Sequence, residues 1–287
     1  MKHLWKAADA AAWGAVSFGG LLPYLTAFQQ EKIQALCPNA GGVFVAAFSY
    51  FAGSQPGNLA LYCRGEDYHG VVTRRLERVS AGLRERYPNN RFVPGSDNSP
   101  VPERAAAILA GLGTQGKNQL LFVPDYGTYV FLGSILTDLP LETTKPEGAL
   151  PICQNSGTCQ SCGKCQKACP GKALTETGGF IPEQCVSQIT QKKGDLSPEE
   201  RRLAEKHPLI WGCDICQAVC PQNRNARETA ISEFRENLLP ALTGQNLEGL
   251  SSRQFQKAYG NRAFAWRGVS PLQRNLFLQG EYKKAKP

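Results

Sequence analysis

Cys159, Cys162, Cys165 and Cys169, followed at once by Pro170, form a C-x2-C-x2-C-x3-C-P run. A partial second copy, Cys213, Cys216, Cys220 and Pro221, lies downstream. A cubane 4Fe–4S cluster needs four thiolates converging from different directions, and three closely spaced cysteines on a looping backbone wrap three of its corners. In two-cluster ferredoxins the fourth cysteine of each run ligates the other cluster. The spacing therefore gives one cluster Cys159, Cys162, Cys165 and the distant Cys220. The other takes Cys213, Cys216 and the crossing Cys169. The second run lacks its opening C-x2 step, which makes Cys185 the natural fourth ligand, with Cys153 or a non-cysteine group as the alternatives.

Two other uses of cysteine fit less well. Paired C-x2-C elements also suit structural zinc, but zinc gives no reason for a third C-x2 step or for proline after both final cysteines. A disulfide framework conflicts with the absence of an apolar signal segment at Met1 and with the crowding of most of the 11 cysteines into one stretch. A reducing cytoplasm is the expected compartment. Cys37 and Cys63 fall in apolar surroundings, where free cysteine behaves as a small buried hydrophobe.

With 287 residues, 42% of them hydrophobic, the chain has enough material for one substantial core and a smaller module. No stretch approaches the ~20 apolar residues of a membrane span. A formal charge of +8 favours an anionic partner such as RNA or a phosphate-bearing ligand.

Three textures divide the chain. Residues 1–147 alternate helical patterns with short apolar strands, 148–224 hold the cysteine runs, and 225–287 are polar and basic. In the first part the pattern predicts a helix over Thr26 to Leu36, a buried strand over Val43 to Phe48, and an amphipathic helix over Val71 to Arg86. Ser99 reads as an N-cap with Pro100 at the first helical position of a helix running to Ala110. Gln119 to Val123 and Tyr129 to Thr137 read as strands joined by a turn at Asp125 to Gly127. Ser197-Pro198-Glu199-Glu200 is a capping-box signature for a helix to Lys206. The fold class is α/β or α+β.

Gly111-Leu-Gly113-Thr-Gln-Gly116-Lys117 imitates a nucleotide-binding loop, but such loops follow a strand and open a helix. This one follows a helix and leads into a strand, so it reads as a glycine-rich turn.

Several segments together resemble the epoxyqueuosine reductases, cobalamin-dependent iron–sulfur enzymes that complete the tRNA nucleoside queuosine. They are Arg64-Gly65-Glu66-Asp67-Tyr68-His69, Asp97-Asn98-Ser99-Pro100-Val101-Pro102-Glu103, the Ala110 to Asn118 turn and Phe131 to Thr137. Cys185-Val186-Ser187, Gly212-Cys213-Asp214 and Cys220-Pro221-Gln222-Asn223-Arg224 complete the set. The resemblance implies a nitroreductase-like cobalamin-binding domain beside a ferredoxin-like module with two 4Fe–4S clusters. It implies an external electron donor of ferredoxin or flavodoxin type, no membrane, and Asp97 as the proton donor. Such an acid must be protonated when it acts, so burial against the corrin is expected to raise its pKa.

Arg64, Gly113, Lys117, Ser187 and Asp214 are the further cofactor-binding candidates, and Tyr68 and His69 are placed near the substrate. The chain also departs from the family: its N-terminal segment is short, the usual C-terminal helical repeat module is missing, and Gln115 and Ser134 replace an apolar and an acidic residue. These departures bear on tRNA binding more than on cofactor binding. The basic tail, including Arg253, Lys257, Arg262, Arg267, Arg274, Lys283, Lys284 and Lys286, suits phosphate contacts. Alternatives are a two-cluster electron carrier without cobalamin and a relative acting on another small substrate.

Overall fold

A computed structural model describes residues 1–144 and 157–280. Cys153 and the last lysines of the basic tail lie outside these residues. The centre is an antiparallel four-stranded sheet in the order β1 (Ala12–Ser17), β2 (Gly42–Ser49), β6 (Val130–Thr137) and β3 (Phe92–Gly95). A separate two-stranded ribbon joins β4 (Thr114–Gln115) to β5 (Leu121–Phe122).

Every residue of β2 is buried, because it is an interior strand covered on both faces. Its alternation sorts the core: Phe44, Ala46 and Phe48 join one apolar cluster, and Val43, Val45 and Ala47 join the other. The Tyr68–Arg86 helix contributes Val72, Leu76 and Val79 to the first cluster. The Ala27–Leu36 and Glu103–Leu109 helices contribute Ile33, Ala106 and Ala107 to the second. Thr26 caps the Ala27–Leu36 helix through a reciprocal capping box with Gln29, and Ser197 caps Pro198–Lys206 in the same way with Glu200.

Three local expectations need correction. The helix after Asp97 begins at Glu103 rather than Pro100, and Pro102 rather than Ser99 precedes it. The residue before a proline is driven to extended geometry, so Val101 breaks the turn, and Ser99 Oγ instead accepts the Val101 N–H at 3.1 Å. The strand expected at Gln119 to Val123 shortens to β5 and pairs with β4, not with the main sheet. The expectation also omitted β1 and β3. β3 is an edge strand, which tolerates the Pro94 that removes a ladder donor.

A third apolar cluster joins three parts of the sequence. It combines Leu59, Ala60 and Cys63 with Ile210 and Trp211 and with Phe255, Phe264, Leu272 and Leu276 from the tail. Arg75 of the Tyr68–Arg86 helix grips Glu233 at 2.9 and 3.0 Å, and this pair holds the Glu233 carboxyl down to about 2. Two cations of the basic tail are structural. Arg262 donates to the carbonyls of Arg64 and Asn237, and Arg274 to those of Lys192 and Gly194.

The second cysteine run is fixed to the sheet domain by buried polar groups. Asn223 accepts the Thr128 N–H at 2.8 Å and donates to Thr128 Oγ1 at 2.9 Å and to the Gln217 carbonyl at 2.8 Å. Gln217 Nε2 donates to the Thr128 carbonyl at 3.0 Å and to the Tyr50 hydroxyl at 3.1 Å. Asn223→Ala leaves several of these groups unpaired and is expected to cost on the order of 2–3 kcal/mol in chemical denaturation. A loss below about 0.5 kcal/mol, typical of a surface change, would show that the network does not anchor the run.

Candidate iron–sulfur and acid site

The Gly157–Cys162 helix, a left-handed turn at Gly163 (φ 60°) and the Lys164–Ala168 helix bring Cys159, Cys162 and Cys165 together. With Cys220 they line a cavity of about 220 Å3. Cys169, Cys185, Cys213 and Cys216 line a second cavity. Each cavity thus draws on both cysteine runs. The ten described cysteines are all free thiols, with Cys37 and Cys63 buried in the core.

Among the described residues, no three His, Cys, Asp or Glu are arranged to hold a single metal ion. The eight thiols border two hollows, four at each. Burial pushes the Cys213 thiol up to about 12 and raises those of Cys216, Cys165 and Cys220. A bound cation reverses that preference and deprotonates a coordinating thiol.

The second cavity extends to the sheet domain, where Tyr50, Tyr62, Asn118 and Phe131 line it opposite Ser187 and Asp214. Asp214 Oδ2 accepts the Leu61 N–H at 2.8 Å, but its Oδ1 and the Asn118 Nδ2 are buried without a partner. Burial raises the Asp214 carboxyl to about 6. An orphaned acceptor and an orphaned donor on one cleft match a ligand bearing carboxamides, as the corrin periphery does. Ser187 Oγ accepts from Gln191 Nε2 at 3.2 Å.

The remaining candidates lie elsewhere. Arg64 is buried and donates to the carbonyls of Leu59 and Gln55 at 2.7 and 2.5 Å, so it braces its own loop. Gly113 is required by close approach: a Cβ there would stand 1.9 Å from the Phe122 carbonyl oxygen of the β4–β5 ribbon. Lys117 borders the first cysteine cavity instead of the cleft.

Asp97 sits in the left-handed region (φ 61°) with its side chain about half exposed. Its Oδ2 accepts from the Tyr68 hydroxyl and from His69 Nε2, both at 2.9 Å. His69 Nδ1 lies 2.7 Å from Asp67 Oδ1. Carboxylates on both sides require both ring nitrogens to donate, which defines an imidazolium. The bond to Asp67, then that to Asp97, raises His69 from 6.5 to about 9. In the protein alone the His69 bond holds the Asp97 carboxyl below the usual range, against a smaller opposing effect of burial.

Sequence reasoning missed Glu103. It is held at the foot of this loop by Ser134 Oγ at 3.0 Å and by a long 3.4 Å contact from the Asp97 N–H. Burial raises it to about 8. Glu103 reaches Ser134 from the neighbouring helix, so a carboxyl group stands against position 134. Tyr68 links the acid group to the cleft by stacking on Phe131, with centroids 4.2 Å apart.

A sheet domain joined to a module whose eight cysteines border two cavities defines a two-cluster iron–sulfur protein. Comparison with known proteins narrows the class. The 4Fe–4S double cluster binding domain matches residues 158–223, and the family described as epoxyqueuosine reductase QueG, DUF1730, matches residues 31–97. An epoxyqueuosine reductase of Listeria monocytogenes is 36% identical over 235 residues, 80% of this chain and 59% of the relative. The chain therefore spans about three fifths of that relative's length. The epoxyqueuosine reductase of Synechocystis is 30% identical over 278 residues, covering 92% of this chain and 91% of the relative.

Solved structures agree. An epoxyqueuosine reductase with an epoxyqueuosine-modified tRNA-Tyr stem loop superposes with a TM-score of 0.80 at 27% identity, over 97% of this chain and 80% of that one. A Bacillus subtilis epoxyqueuosine reductase with its catalytic aspartate loop swung out of the active site gives 0.79 at 27% identity, over the same shares. The chain belongs to the epoxyqueuosine reductase family.

Two outcomes follow from the geometry. In NMR titration the His69 ring should titrate near pH 9, well separated from the buried His207 near 4, and Asp97→Asn should move His69 towards 6.5. Because His69 gains protons on folding, its stabilisation is complete below about 6.5 and disappears as pH rises through about 9. A His69 value that ignores Asp97→Asn would break the assigned pair. Separately, Cys185→Ala should lower reconstituted iron from about eight to about four per chain; retention of about eight would hand the fourth position to Cys153 or a non-cysteine ligand.

Proposed function

We propose that this chain reduces epoxyqueuosine to queuosine in tRNA, with Asp97 and His69 acting together as the proton donor at the epoxide oxygen. The observation that carries the reading is the Asp67–His69–Asp97 array, linked through Tyr68 and Phe131 to the cleft that the second set of cysteines borders. Cys159, Cys162, Cys165 and Cys220 would hold one 4Fe–4S cluster, and Cys169, Cys185, Cys213 and Cys216 the other. Asn118, Ser187 and Asp214 would hold cobalamin. When bound, the clusters relay single electrons and cobalamin supplies the reduced cobalt that opens the epoxide.

The protein's own part is the proton. Expelling oxygen from carbon as an alkoxide is costly, and a positioned acid lowers that cost by ~10²–10⁴-fold in rate. Asp97 alone holds no proton near neutrality, but His69 keeps one 2.9 Å from its Oδ2. Protonation of Asp97 by His69 as the substrate oxygen departs delivers that proton, and Asp67 stabilises His69 between turnovers. Asp97 lies in a strained loop, consistent with the swung-out loop of the Bacillus subtilis relative.

The Synechocystis relative, covered over 91% of its length, carries the same name. Among the described residues no helix is long and apolar enough to cross a membrane, and the free thiols suit a reducing cytoplasm. Reducing equivalents come from an external carrier.

Anaerobically reconstituted protein should retain cobalamin on a desalting column and convert an epoxyqueuosine-containing stem loop, read by nucleoside analysis. Failure to retain cobalamin would leave an electron carrier. Asp97→Asn should keep iron and cobalamin but lose ~10²–10⁴-fold in turnover; wild-type turnover would remove Asp97 from the acid role.

A further inference from the structure

Glu103 opens the Glu103–Leu109 helix, a position where an ionised carboxylate in water would complement the positive end of the helix. Its side chain turns inward instead. Oε1 accepts the Ser134 hydroxyl of β6 at 3.0 Å, and Oε2 faces the Asp97 N–H at 3.4 Å. One carboxyl group therefore spans from the sheet to the loop that carries Asp97. Ser134 is itself buried and stands 3.5 Å from Ser99 Oγ, so the same hydroxyl meets the loop at a second point. Asp97 needs an anchor of this kind: it occupies the left-handed region (φ 61°), which a residue other than glycine keeps only where its surroundings impose it. Tyr68 and His69 hold its Oδ2, whereas its backbone N–H meets Glu103.

We propose that Glu103 is the positioning residue of the acid site, its carboxyl bridging Ser134 of β6 to the Asp97 N–H and so keeping the Asp97 carboxylate against His69. The proposal rests on the reading of Asp97 and His69 as the proton donor, and Glu103 acts through Asp97 alone, with no proton transfer of its own. Charge decides whether a carboxyl can stand there. The His69 bond keeps Asp97 ionised, and a second carboxylate beside it would repel the loop. Burial keeps Glu103 protonated up to about 8, so near neutrality a neutral acid meets the N–H and the two carboxyl groups coexist. The other role open to Glu103 is that of a helix-end charge, which needs an ionised group facing water.

The bridge is read at His69, which loses one of its two carboxylate partners if Asp97 drifts away. Histidine signals are followed by NMR across pH in the full chain with its clusters reconstituted; the sequence has three histidines, His3, His69 and His207. Glu103→Ala and Glu103→Gln both remove the ionisable group, so any direct effect of its charge on His69 is common to them. Only the amide still offers an acceptor to the loop and to Ser134. In Glu103→Ala the His69 value should fall from about 9 by at least about one pH unit, and in Glu103→Gln by less than about 0.3. With an epoxyqueuosine-containing stem loop, kcat should drop on the order of 10²-fold in Glu103→Ala, as misplacement of a reacting group does, and Glu103→Gln should restore it.

A His69 value that stays near 9 in Glu103→Ala overturns the proposal. So does an equal fall in both variants, which would make Glu103 a charge rather than a bridge. His207, buried and held near 4, reports folding, because it returns towards 6.5 when the chain unfolds. Should Glu103→Ala unfold by that measure, Ser134→Ala decides in its place: it removes the far end of the bridge, and a His69 value still near 9 there overturns the proposal. The titration needs neither cobalamin nor tRNA. A protein that fails to reduce epoxyqueuosine but shows the His69 shift therefore refutes the proposed function and leaves the bridge standing.

Discussion

The hydrogen bonds that Asn223 and Gln217 make with Thr128 and Tyr50 hold the two halves of the protein in register. Apolar contact alone fixes distance but tolerates sliding, whereas buried amides are satisfied at one orientation only and are costly when misaligned. Cys216 and Cys220 lie in the segment that these amides fix, one at each cavity. The position of both hollows relative to β6 and to Phe131 therefore depends on two uncharged side chains, one of which, Gln217, also lines the second hollow.

The acid site works by a different principle, the sharing of one positive charge between two carboxylates. Asp67 and Asp97 each stabilise the His69 imidazolium, and it in turn keeps both of them ionised. Glu103 adds an acid of the opposite character, kept neutral near pH 7 by burial. Two protonated groups, His69 and Glu103, thus stand beside a carboxylate that is itself deprotonated.

Features set by neighbours along the chain were legible in the sequence. The capping box at Ser197 and the β2 strand after Gly42 depend on local geometry, and the structure forms them where the pattern put them; the Thr26 helix was legible too, though not its capping box. Features set by distant partners were not. The charge state of His69 requires Asp97 to be brought 28 positions along the chain to its ring, and the pKa of Asp97 followed that unseen partner. Glu103 looked like an ordinary acidic residue of a helix's first turn until the fold placed Ser134 against it. β3 was hidden because it is four residues long and contains Pro94, a residue that argues against a strand unless the edge position is known. The Ser99 cap failed because a second proline, Pro102, overrode a good local signal.

Neither cysteine cavity is built from one contiguous stretch, since Cys220 completes a hollow begun at Cys159 and Cys169 faces the same hollow as Cys213. Between them the chain must form the Val186–Gln191 and Pro198–Lys206 helices. A nascent chain emerging from the ribosome therefore carries all four thiols of the second hollow only once residue 216 has been made, and those of the first only at residue 220. Neither hollow can close until nearly all of the cysteine-bearing segment has been synthesised and folded back on itself.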